Sequence, residues 1–176
     1  MKFEFYRPEE INLSEFSAIV EKLRSDLFEL ETQPCKKETV CCYVKDLIKH
    51  AEPLPHNHRM VFWGLADPNE MPHDARVEFF YLPTYLITAF MMKAVQLYPE
   101  MMEEGKGISD VVRHVLKRAM RACTGRDFNG AGVLPLAECV EIFVNAGAER
   151  FLESYPDFCP EFTKLFWESK AAIDQG

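Results

Sequence analysis

The amino-acid sequence predicts an all-α fold, an irregular bundle of about six to eight helices around one central apolar helix at 84–98. Three observations predict it. Apolar residues recur at helical spacing through most of the chain. Residues 79–92 hold no charged side chain. Prolines 53, 55, 68 and 72 crowd one segment, 51–76, which breaks regular structure between two helical regions. The length of 176 residues suits one domain over 1–176.

Taken in order, residues 14–31 read as an amphipathic helix. Ser14 is placed to cap it, and Phe16, Ile19, Val20, Leu23, Leu27 and Leu30 fall on one face. Pro34 ends it, and a shorter helix over 38–50 turns Val40, Val44, Leu47 and Ile48 inward. Met60-Val61-Phe62-Trp63 and Arg76 to Leu82 are short apolar pieces, and a small β-hairpin between them fits within 59–82. From Thr84 to Tyr98 only Thr88, Lys93 and Gln96 interrupt an apolar surface, so this helix is expected to be buried on nearly all sides, Leu86, Ile87, Phe90 and Val95 included.

Ser109 to Cys123 is the clearest amphipathic helix, with Val112, Val115, Leu116, Ala119, Met120 and Cys123 on its apolar stripe. Gly125 supplies its stop. Pro135 to Ala146 follows, closed by Gly147, then a short helix at 148–154. Pro160 opens the last helix, which turns Phe162, Leu165, Phe166 and Ile173 inward.

Composition narrows the setting. The chain is 48% hydrophobic with 14 Phe, a load no disordered segment carries. The first ten residues have no apolar export signal, so the expected location is the cytoplasm, with the six cysteines as free thiols. The uncharged run at 79–92 falls short of the about 20 apolar residues a bilayer needs, and no membrane association is expected.

Chemical motifs are sparse. Gly125 and Gly130 have the spacing of a phosphate-binding loop, but Ala131-Gly132 stands where Lys and Ser or Thr belong. Asp127, Asn129, Gly132 and Glu138 fall on calcium-loop positions, yet Ala131 removes a ligand and Arg121 and Arg126 repel a cation. The loop is read as a glycine-rich helix connection. His50, His56, His58 and His73 cluster in sequence without any familiar zinc spacing and are read as loop histidines. Cys41 or Cys42 beside a histidine would make a thiolate pair, but buried structural thiols are the expectation. The methionine pairs Met91-Met92 and Met101-Met102 read as core filler. Neither a catalytic motif nor a cofactor fingerprint is present, so no metal or cofactor is expected and an enzyme is disfavoured.

Charge offers the one positive signal. The chain carries a net −8, yet residues 105–127 hold six Lys or Arg against two Asp, a net +4. Arg113, Lys117 and Arg121 follow at i, i+4 and i+8, and Arg126 lies just beyond. These four are the candidate binding residues. The function expected is that of a non-enzymatic interaction or regulatory protein that binds a protein partner through charged surface. The alternative is a small enzyme or ligand-binding protein holding an anionic ligand near the Arg/Gly loop at 121–132. A concave site there favours the second and a convex surface the first. An acidic whole disfavours general nucleic-acid binding.

Overall fold

The structure is a computed structural model that describes residues 13–54, 57–64, 81–103, 107–124 and 137–175. Seven α-helices and one two-stranded antiparallel hairpin make up the described residues, in the order α1 (Leu13–Thr32), α2 (Lys37–Lys49), β1 (Glu52–Leu54), β2 (Asn57–Phe62), α3 (Leu82–Leu97), α4 (Gly107–Thr124), α5 (Ala137–Asn145), α6 (Ala148–Ser154) and α7 (Pro160–Gln175). A short 3-10 turn, Pro99–Met102, follows α3. The all-α bundle is the fold the periodicity predicts. No helix among the described residues is long and apolar enough to cross a membrane.

α3 is the central helix. It packs against α1, α2, α4, α5 and α6, and thirteen of its sixteen residues are buried. Its entry tolerates Pro83 because the first turn of a helix has no intrahelical acceptor for that N–H in any case. Around it lie the stripes the spacing predicts. The six inward residues of α1 are buried, as are the six of α4. Three details differ. Ser14 lies one residue inside α1 instead of preceding it. Ile48 on α2 and Leu165 on α7 are only partly buried against the core. Ile173 is 39% exposed, because the last turn of α7 runs past the surface it packs on.

The hairpin lies upstream of the pairing expected. β2 pairs with Glu52–Leu54, matching Glu52 with Phe62 and Pro53 with Val61, and the register breaks between Pro53 and Leu54. Residues 76–80 lie outside the described residues, and Tyr81 and Leu82 already belong to the start of α3. Trp63, which follows β2, holds the hairpin in place. Its Nε1 donates to Leu47 O of α2 at 2.7 Å. Its backbone N donates to Thr84 Oγ1 of α3 at 3.0 Å, and that hydroxyl lies 3.3 Å from Trp63 O.

One buried carboxyl joins α1 to α2. Asp26 is 4% exposed, with Lys22 Nζ 3.0 Å from Oδ2 and Tyr43 Oη donating to the same oxygen at 3.0 Å. Burial pushes this carboxyl above its ordinary value even against those two partners. A folded-state value above the unfolded one gives a contribution that is complete below the unfolded value and lost as pH rises through the folded value. Asp26→Asn therefore gains on the wild type as pH rises from 4 to 7, read as the difference in urea midpoint at the two pH values. If the variant instead loses ground over that range, the Lys22 ion pair outweighs burial.

Candidate functional site

β2 and α7 both pack on α4, and the three together frame two adjoining clefts. Why α4 turns basic residues toward them follows from its own pattern. Burying the stripe from Val112 to Cys123 against α3 leaves the opposite face for polar residues. Seven residues make almost two full turns, so His114, Lys117, Arg118 and Arg121 at i, i+3, i+4 and i+7 form one stripe.

That stripe is one wall of the first cleft, and His58 and Arg59 of β2 are the other. The cleft has a volume of about 420 Å³. Among the described residues lining it there is no carboxylate. Two of its arginines are pinned by the strand. Arg118 Nη2 donates to His58 O, and Arg121 Nη1 donates to Arg59 O at 3.1 Å. These bonds satisfy carbonyls of β2, and they fix the guanidinium planes without using up their five donors each. Arg121 Nε is buried and makes no hydrogen bond among the described residues, with Glu161 Oε1 of α7 standing 3.8 Å away.

The second cleft, about 540 Å³, shares Arg59 and Arg121 with the first. Its other lining includes Met60, Glu161, Lys164, Leu165 and Glu168. Glu161 keeps its charge readily. A hydrogen bond from its own backbone N–H holds its carboxyl below the usual range, and the nearby Arg121 and Arg59 act in the same direction.

The four binding residues read from sequence are thus divided. Lys117 and Arg121 line the first cleft. Arg121 is more enclosed than an exposed patch implies, with its side chain 13% accessible. Arg113 is turned elsewhere and pairs with Asp110 in its own helix. The reason is geometric, since Arg113 lies about 80° round the helix from Arg121 and about 140° from Arg118, beyond the Lys117 edge of the stripe. Arg126 lies outside the described residues. The first cleft also brings in His58, Arg59, His114 and Arg118, which are not among the four candidates. The stripe on α4 was available in the spacing, whereas the two residues of β2 come from about sixty positions upstream.

The other motifs resolve less. His56, His73 and the stretch from Asp127 to Gly132 lie outside the described residues. Glu138, the twelfth calcium-loop position, is engaged by Arg24 of α1 at 2.8 Å. His50, which follows the last residue of α2, has its Nδ1 2.9 Å from Asp46 O of that helix, and His58 is on a strand. Met91, Met92, Met101 and Met102 are all buried.

All six cysteines are free. Burial pushes the thiols of Cys35, Cys41 and Cys123 up, Cys139 to about 12 and Cys159 to about 11. A raised thiol is a poor nucleophile at neutral pH, since the thiolate is the reacting form. Cys42 is exposed. A maleimide at pH 7 is therefore expected to modify Cys42 first, and Cys123, Cys139 and Cys159 only after unfolding. Native labelling of Cys123 as fast as Cys42 contradicts the packing described.

Comparison with protein-family models, with curated proteins and with solved structures finds no significant match to this chain.

Proposed function

We propose that this protein is a non-enzymatic binding protein that takes an acidic segment of a partner protein into the cleft between β2 and α4. The observation that carries the reading is the convergence of Arg59, Lys117, Arg118 and Arg121 on one concavity whose described lining holds no carboxylate. In a chain of net −8, such a concentration of positive charge draws anions to one place. Arginines whose planes are already fixed by β2 offer preorganised forks to carboxylates, which lowers the ordering cost of binding.

The concavity moves the reading from a flat charged surface toward a defined anion site near Arg121. Two features favour a partner-borne anion over a small metabolite. Small-molecule pockets are mostly apolar with a few polar groups, whereas this first cleft is lined by charged and imidazole side chains. It also continues past Arg59 and Arg121 into the second cleft, which suits an extended chain.

The test is fluorescence anisotropy with a labelled octaglutamate peptide at low ionic strength. Binding is expected, weakening steeply with salt. Lys117→Glu should reduce affinity by about tenfold, because one rim charge is reversed, while stability stays within about 0.5 kcal/mol of wild type. Arg113→Gln, outside the cleft, should leave affinity within about twofold. Equal losses from the two variants would show that the cleft is not the site. Binding of an octathymidylate with no binding of octaglutamate would make the partner a nucleic acid.

A further inference from the structure

The second cleft carries chemistry that a purely acidic ligand leaves unused, and this inference rests on the function proposed above. Residues Glu161, Lys164, Leu165 and Glu168 lie at i, i+3, i+4 and i+7, one face of α7, and all four line the second cleft. Met60 of β2 lies across from them. The first cleft is lined by cations and imidazoles alone, while the second adds a further cation, Lys164, together with two carboxylates and an apolar pair, Met60 and Leu165. Arg59 and Arg121 line both. Glu161 is the carboxylate beside Arg121, at 3.8 Å. Glu168 stands about 10 Å further along α7, two turns from that arginine's partner. The two clefts thus join at Arg59 and Arg121, with His114 and Lys117 lining the first alone and Glu168 the second alone.

A uniformly acidic chain suits the first half but leaves the carboxylates and the apolar pair of the second unused. We infer that the partner segment is bipartite, an acidic stretch in the first cleft followed by an apolar residue over Met60 and Leu165 and then a Lys or Arg that pairs with Glu168. Such a matched order of charges also favours bipartite segments over ones acidic throughout, which gives selectivity in addition to attraction.

Two labelled peptides test it, each with four glutamates, glycine, leucine and glycine, one closing with lysine and the other with glutamine. The lysine peptide is expected to bind about threefold to fivefold more tightly, the size of one exposed ion pair. Glu168→Gln should erase that difference, bringing the two peptides to the same affinity. Equal affinity of the two peptides for the wild type, or an undiminished difference in Glu168→Gln, overturns the bipartite reading and leaves the acidic site standing. If neither peptide binds, the acidic site itself falls and this inference with it.

Discussion

Replacing Phe90 by alanine is expected to lower the unfolding free energy by about 3–5 kcal/mol, the range for truncating a buried phenylalanine. Phe90 is 3% exposed on the central helix and meets the Tyr43 ring edge-on, with centroids 5.0 Å apart. Its removal takes away apolar contact and leaves a cavity between α3 and α2 that a bundle closed on all sides of α3 cannot easily fill. Against a domain stability of about 5–15 kcal/mol, that is a large share. With a urea slope near about 2 kcal/mol/M, the midpoint drops by about 1.5–2.5 M with the slope unchanged. Phe28→Ala is the control, since that ring is 60% exposed and its loss should shift stability by less than about 0.5 kcal/mol. An unchanged midpoint for Phe90→Ala would place α3 at the periphery and contradict the packing.

Trp63→Ala is expected to cost a similar about 3–5 kcal/mol but to do a second thing that Phe90→Ala does not. Trp63 is 1% exposed, and its indole N–H reaches α2 while its backbone is clasped by Thr84 of α3. The Thr84 bonds survive truncation of the side chain, so the anchor that Trp63→Ala removes is the buried indole with its bond to Leu47 O. Without it, His58 and Arg59 lose their fixed positions beside α4, and the carbonyls that hold Arg118 and Arg121 move with them. Octaglutamate affinity should therefore fall by about tenfold or more in Trp63→Ala, measured at 10 °C where the variant is still folded, because both preorganised arginines are released. In Phe90→Ala at the same temperature, affinity should stay near wild type. Wild-type affinity in a destabilised Trp63→Ala would mean that β2 does not build the site.

These two variants also mark where the sequence is and is not informative. Helical periodicity is local, so α1, α3 and α4 were legible from apolar spacing, together with nearly all of their inward residues. Pairing of short strands is not local. Met60 to Phe62 reads as a strand from its composition, but nothing in it favours Glu52–Leu54 over a downstream partner, and Pro53 argues against a strand there. The candidate site inherits both properties. Its α4 wall was written in the spacing of His114, Lys117, Arg118 and Arg121, although the i, i+4, i+8 series drew attention to Arg113 instead. Its β2 wall follows from a tertiary contact between segments about sixty residues apart, and no local pattern encodes that. Ile173 fails for a different reason. Period alone continues an apolar face to the end of α7, while the exposure of Ile173 shows that the surface beneath it stops sooner.

The most direct measurement is an amide NMR titration of the ¹⁵N-labelled protein with unlabelled octaglutamate at low salt. Saturable shifts are expected, concentrated in residues 57–62 of β2 and 114–124 of α4, with those of Arg113 and of α1 unmoved. Saturable shifts centred on any other face, or no shifts at peptide concentrations in the millimolar range, contradict the proposed site.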